Sequence, residues 1–424
     1  MEFPKIALTE QYFNPQRIED IPGHVVKEIL KLTLQEKIKH GDTVAITGGS
    51  RGIANIHVIT KTVVDELKRL GAKPFIFPSM GSHGGATAAG QISILEKYGI
   101  TESNMGCPIR STMEVKYLGD ATDGYPIYVD QYASEADHIV LINRIKPHTK
   151  FKGPLESGLM KMMAIGMGKQ RGAEYYHKAA VEFTFQKIVA TVGIEVIKKC
   201  PILFGLAIVE NGYDQTSIIK ALLPGDIPEE EEKLLSIAKD RMARLPFNDI
   251  DVLVIDEIGK NISGTGMDVN ITGRNRDILG DFTAGPYIKR IFVRDLSIES
   301  EGNALGIGFA DFTTTRAVKD MDIKKTYINC ITAISPEKGS IPIYFDTDKE
   351  ALKACLLTIG DIPPSKIRLV YIKNTLKLSR IYISEAFEKE LNERKDLKLI
   401  GKWENIPMDN NGNITCRFSG LFDE

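Results

Sequence analysis

A chain of 424 residues exceeds what one hydrophobic core usually serves, so two domains are expected. With 43% hydrophobic and 26% charged residues it has the composition of a soluble globular protein, and a formal charge of −2 supplies no overall basic footprint for nucleic acid. The five cysteines, Cys107, Cys200, Cys330, Cys355 and Cys416, are scattered and never form a CxxC pair, which argues against a zinc ribbon and a disulfide scaffold.

Met1-Glu2-Phe3-Pro4-Lys5 lacks the basic start and apolar middle of a signal peptide, and no apolar run approaches the roughly 18 residues that span a bilayer. A cytoplasmic protein with no membrane segment is the expectation. Apolar residues at helical spacing predict a helix over 27–38, ending near His40-Gly41. Residues 42–47 read as a buried strand, followed by Gly48-Gly49-Ser50-Arg51-Gly52 and an amphipathic helix over 53–70. Strand, glycine turn and helix together make a phosphate-binding geometry, because a helix start offers unpaired N–H groups and a positive dipole end.

A second parallel strand over 73–78 leads into Gly81-Ser82-His83-Gly84-Gly85-Ala86-Thr87, and a helix over 88–98 follows. Weak strands at 115–118 and 126–129 precede the stretch 137–180. There an apolar strand at 139–142 delivers Pro147-His148 into a loop, and ligands gather at such strand ends in open α/β sheets. Lys161 lies between Met160 and Met162-Met163, an apolar setting that makes its amine easier to deprotonate than a surface lysine. Residues 171–198 read as helical, 202–209 as a further apolar run, and 229–244, with its acidic start and basic end, as a macrodipole-matched surface helix. A new α/β unit begins near Asn248 with a strand at 251–256 and a glycine-rich loop at 259–268. Later strands fall at 290–294 and 366–372, with helices at 313–319 and 349–357. The domains are therefore 1–247 and 248–424, and the charged helical tail from about 384 is expected to pack back on the first. No internal repeat is visible.

Thr47-Gly48-Gly49-Ser50-Arg51-Gly52-Ile53-Ala54 invites a dinucleotide reading, and an NAD(P)-dependent oxidoreductase is one alternative. Against it, Ala54 replaces the last glycine of the fingerprint, the second strand carries no acidic residue for a ribose, and Tyr175-Tyr176-His177-Lys178 contains no Tyr-x-x-x-Lys pair. A turn needed only for packing is a second reading. A mononucleotide phosphate held by the turn with Arg51 is a third. The glycines around His83 suit close backbone approach to a ligand. His148 has the bland alternative of a turn histidine, and a lone helical histidine such as His177 is usually structural. The cations Lys146, Lys150, Lys152 and Arg171 read either as a solvated face or as a seat for a carboxylate substrate.

Taken in order, Arg51, His83 in Gly-x-His-x-x-x-Thr, Pro147-His148, Lys161 and His177 resemble the lactate racemase family, whose members use a nickel-pincer nucleotide. The resemblance implies two α/β domains, a Rossmann-like parallel sheet in the N-terminal one, and an active site in the interdomain cleft. It implies that Lys161 carries the cofactor, a pyridinium-type mononucleotide held covalently, that His177 ligates nickel, and that His83 and His148 are the acid/base pair. Arg51 and the turn of Gly48, Gly49, Ser50 and Gly52 would hold the nucleotide phosphate, and Lys260 would match a substrate-contacting lysine. The implied function is racemisation or epimerisation of a small 2-hydroxy carboxylate by transient hydride transfer from C2. Its implied partners are proteins that make and insert the cofactor. The His148 to Lys161 spacing is longer than in lactate-specific members, with Pro154-Leu155-Glu156-Ser157 inserted, so the identity of the hydroxy acid stays open. A non-catalytic carrier or sensor of the same nucleotide is the remaining alternative.

Overall fold

In the computed structural model, which describes residues 2–277, 285–416 and 418, the first strand belongs with the end of the chain. Strand β1 (Lys5–Gln11) pairs with strands formed after residue 379, and the chain divides into one unit of residues 16–242 and another of 1–15 with 243–424. The N-terminal lead-in therefore joins the second unit, and the boundary falls at 242/243 rather than 247/248.

The unit 16–242 is built on a five-stranded sheet. Its strands are β2 (Thr43–Gly48), β3 (Lys73–Pro78), β6 (His138–Arg144), β7 (Ile202–Glu210) and β8 (Thr216–Leu222), in the order β3-β2-β6-β7-β8; the hairpin β4 (Val115–Asp120) and β5 (Pro126–Asp130) stands outside it. The first four sheet strands in that order run parallel and β8 returns antiparallel to β7. Alternation along each strand feeds two cores. Val44, Ile46, Ile76, Val140 and Ile142 face helices α1 (Ile21–Leu30), α2 (Ile56–Arg69) and α3 (Ala88–Lys97). Ala45, Phe75, Phe77, Ile139 and Leu141 face a short turn α4 (Leu159–Lys161) and helices α5 (Lys169–Ala179), α6 (Phe185–Lys199) and α7 (Ile227–Arg241). Burial on both faces is why these strands read as continuous apolar runs. This is the Rossmann-like arrangement anticipated for the N-terminal domain.

Several boundaries differ from the periodicity reading. The first helix starts at Ile21, with Asp20 accepting the Gly23 N–H at 3.0 Å and Pro22 in its first turn, and ends at Leu30 although the apolar spacing continues to Ile38. The predicted helix over 171–198 is two helices, because Thr184 caps a new start by accepting the Lys187 N–H at 3.3 Å.

The other unit has a mixed nine-stranded sheet in the order β12-β11-β10-β9-β13-β14-β1-β15, with β16 also on β1. Strands β9 (Asp249–Ile258), β10 (Tyr287–Leu296), β11 (Phe312–Thr314), β12 (Ile343–Phe345) and β13 (Leu369–Ile372) are parallel. β14 (Arg380–Ser384), β15 (Leu397–Leu399) and β16 (Glu404–Asn405) pair antiparallel with β1. The tail is thus committed to its own unit's sheet, since β1 offers it backbone hydrogen bonds on both edges. No helix among the described residues is long and apolar enough to cross a membrane. The five cysteines are free, all but Cys416 fully buried.

Candidate active site at the strand ends of residues 16–242

Strands β2, β3 and β6 lie side by side and parallel, so the loops leaving their C-terminal ends emerge along one edge of the sheet. These loops carry Arg51, His83 and His148.

Backbone conformation does not require the glycines at the end of β2 and in the turn after it, and packing requires only Gly48. None of Gly48, Gly49 and Gly52 has a positive φ, whereas a Cβ on Gly48 would lie 2.8 Å from Cδ2 of Leu95. Helix α2 starts at Ile56, later than the predicted 53, because Asn55 (φ +59°) breaks the approach. The Ala54 N–H donates to Glu210 Oε1 at 2.7 Å, and Glu210 also pairs with Arg144. A protein carboxylate therefore already occupies the entrance to α2, where the sequence suggests a phosphate seat. The N–H groups of Ser50, Arg51 and Gly52 meet no protein acceptor among the described residues.

In the loop after β3 glycine is required by conformation. Gly81 (φ +58°), Gly84 and Gly85 (both +66°) bracket His83, whose Nδ1 is hydrogen-bonded to the Ser50 hydroxyl. Behind the loop lies a buried polar network. Gln91 Nε2 donates to the carbonyls of Gly81 (2.9 Å) and His83 (3.3 Å), while its Oε1 accepts from Lys169 Nζ at 3.1 Å. Lys169 in turn forms an ion pair with Asp130 at 3.0 Å, both side chains fully buried. Lys169 thus lies inside, as a strut behind the loop.

The loop after β6 is closed at its base by two backbone hydrogen bonds, Lys146 N–H to Ser157 O (2.9 Å) and Ser157 N–H to Lys146 O (3.2 Å). Its interior is the carboxylate of Glu156, which accepts from the His148 N–H at 2.7 Å, the Gly153 N–H at 3.4 Å and Lys239 Nζ at 2.7 Å. The insert Pro154-Leu155-Glu156-Ser157 thus supplies the group that shapes the loop. The His148 ring lies 4.3 Å from Phe151; Phe151 stacks on Phe185 at 5.6 Å, and His177 meets Phe185 edge-on at 4.8 Å. Two phenylalanines therefore join His148 to His177. Arg171 is elsewhere, exposed over the Tyr128 ring at 4.9 Å.

Lys161 ends the α4 turn and enters a π-helical turn, Met162–Gly166. Such single-turn π segments are frequent at functional sites. Its side chain is half-buried and has no hydrogen bond or ion pair among the described residues. Burial, then the charges of Arg51 and Lys146, bring its pKa down to about 8. Arg51 is itself held below the usual guanidinium range by burial and by Arg144. Of the anticipated residues, the structure thus links Ser50 with His83, Arg51 with Lys161, and His148 with His177. Lys260 lies in the other unit, its amine hydrogen-bonded to Asn329.

Residues 10–186, which contain all five residues of the ordered set, match the family model described as the lactate racemase N-terminal domain. Among solved structures, the chain is similar to a crystal structure of a structural-genomics protein from Thermotoga maritima at 15% identity and a TM-score of 0.52, over 86% of this chain and 98% of that one. It is also similar to the lactate racemase apoprotein from Thermoanaerobacterium thermosaccharolyticum at 14% identity and a TM-score of 0.46, over 68% and 74% of the two chains. No curated protein matches it.

The matched stretch ends within α6, and two residues that touch its loops come from beyond it. Glu231 and Lys239, both on α7, reach the backbone of Met160 and the carboxylate of Glu156 respectively. Neither is apparent from sequence, where they belong to a charged helix face. Among the described residues no group of three or more His, Cys, Asp or Glu side chains could hold a metal.

Proposed function

We propose that this chain is a racemase or epimerase of a 2-hydroxy carboxylate that works with a nickel-pincer nucleotide tethered to Lys161. The observation that carries the reading is Lys161 itself, a half-buried amine with no partner among the described residues and a pKa of about 8. About a tenth of such an amine is neutral at pH 7, against fewer than about one in a thousand for an ordinary lysine. A neutral amine is the form that takes an acyl-type linkage. The residues fit the group in charge as well. Arg51 and the open N–H groups beside it suit an anionic phosphate, and Lys146 adds a second positive charge. His177 would contribute one imidazole to the metal, and a planar donor set completed by the cofactor suits nickel(II).

When bound, the nucleotide supplies an acceptor for hydride from C2 of the substrate. The protein's own part is to handle the hydroxyl proton. His83, held at Nδ1 by the Ser50 hydroxyl, would exchange a proton with substrate, and His148, at the end of β6 on the other side of β2, would serve the opposite configuration. Proteins that make and insert the cofactor are the expected partners.

The test is to produce the chain together with cofactor-making enzymes and measure intact mass, nickel content and turnover of both enantiomers of C3 to C6 2-hydroxy acids. A covalent adduct on Lys161 with interconversion of enantiomers is expected; an unmodified Lys161 refutes the reading. His177→Ala should keep the adduct and lose nickel, and unchanged metal content in that variant refutes the ligand role.

A further inference from the structure

We propose that α7, which lies beyond the matched domain, holds both reactive segments in place, with Glu231 positioning Lys161 and Lys239 positioning His148. The inference rests on the reading of Lys161 and His148 as functional groups. Its geometry stands apart from that reading.

Glu231 is 1% exposed, although it sits within the run Glu229 to Glu232. Its neighbours behave as surface residues, with Glu229 and Glu230 both paired to Lys233. Glu231 instead points inward, where Oε2 accepts the Met160 N–H at 3.0 Å. The α4 turn has no side-chain cap of its own; Gly158 stands at its cap position and offers none. A Cβ at Gly158 would lie 2.2 Å from Glu231 Oε1, so glycine there is what admits the carboxylate. Glu231 has no cation partner among the described residues, and only the N–H groups of Met160 and Leu159 there offset its burial. Burying a carboxyl group with so little compensation is unfavourable, which marks the contact as serving something other than stability. What it fixes is the turn whose third residue is Lys161.

Eight residues along the same helix, Lys239 Nζ meets Glu156 Oε1 at 2.7 Å, and the other Glu156 oxygen holds the His148 N–H at 2.7 Å. One rigid helix thus sets the entry to Lys161 by a direct cap and the start of the His148 loop through a relay. Removing the cap should loosen α4 and admit water to Lys161, whose low pKa is owed first to burial.

The test uses the full chain without cofactor. Lysines are pulse-labelled with acetic anhydride across pH 6 to 11 and read by site-resolved mass spectrometry, with exposed Lys178 as reference. In Glu231→Ala the midpoint for Lys161 should rise by at least about one unit, lowering its labelling at pH 7 about tenfold relative to Lys178. Glu231→Gln, which keeps an oxygen for the Met160 N–H, should retain the wild-type midpoint. Should Glu231→Ala not fold, Glu231→Asp, one methylene shorter, gives the same test with a smaller rise expected. Lys239→Met should leave the Lys161 profile alone and raise amide hydrogen exchange at His148 by about tenfold or more. A cooperatively folded Glu231→Ala or Glu231→Asp whose Lys161 profile superposes on wild type overturns the role of Glu231; unchanged exchange at His148 overturns that of Lys239. A wild-type Lys161 that never accepts cofactor, while its labelling still depends on Glu231, removes the proposed function and leaves this inference standing.

Discussion

The backbone N–H of Lys150 donates to Nδ1 of His148 at 3.0 Å, which leaves the neutral ring with its proton on Nε2. His148 therefore faces its surroundings as a hydrogen-bond donor. His83 differs, because its Nδ1 partner is a hydroxyl that can either donate or accept. Nitrogen NMR on the full chain at pH 8 should show His148 as the Nε2–H tautomer, and Lys150→Pro, which removes that N–H, should shift the ring toward a tautomer mixture. A His148 that is mainly Nδ1–H in the wild type would contradict the geometry.

Ser50→Ala removes the hydroxyl bonded to Nδ1 of His83 while leaving the loop's glycines and its Gln91 contacts in place. If His83 exchanges the substrate proton, cofactor-loaded Ser50→Ala should lose about tenfold to a hundredfold in kcat with little change in KM. A larger effect on KM than on kcat would place Ser50 in binding.

The depressed pKa of Lys161 also links to stability. The folded chain releases this proton near pH 8, whereas the unfolded chain keeps it to about 10.5, the ordinary lysine value. The unfolded state thus binds more protons between those limits, so stability should rise with pH across that window, by up to about 3 kcal/mol. Urea unfolding of the unloaded chain at pH 7.5, 9 and 10.5 checks this, and Lys161→Met should flatten the slope.

Lys169→Met leaves Asp130 as a buried carboxylate without its ion-pair partner and releases Gln91 from one side. Breaking one side of such a pair costs about 3–5 kcal/mol. Lys169 also sits at φ +52°, so Lys169→Gly, with relaxed backbone but the same orphaned Asp130, separates strain from charge. Both variants should lower the urea midpoint substantially, and a near-neutral Lys169→Met would mean that Asp130 is satisfied by protonation.

The strand, loop and helix units around Arg51, His83 and His148 were legible because buried parallel strands write apolar runs and their ends are punctuated by glycine or proline. Lys161 was legible in part. Its methionine neighbours foretell an apolar setting, but the charges of Arg51 and Lys146 act across more than a hundred residues in one case and a closed loop in the other. Glu231 was hidden, because a run of glutamates looks the same whether or not one of them turns inward; only the 100° step per helical residue and the packing of α7 decide which does. The occupation of the α2 entrance by Glu210 was hidden too, being a contact between residues 54 and 210 with no local signature. The ladder between β1 and β14 joins Glu10 to Arg380, and nothing in either stretch names the other.

That ladder has a consequence for synthesis. As the chain leaves the ribosome, residues 16–242 can complete their sheet and both of its cores while β1 remains a loose leader with no partner strand. β1 can dock only after residues 380–405 have emerged, so the other unit closes last, after the inserted residues 16–242 have folded. A truncation that removes β14 to β16 should therefore leave residues 16–242 folded and the first fifteen residues open to protease. A circular permutant that joins β1 directly to the end of the chain would turn the latest step of folding into a local one.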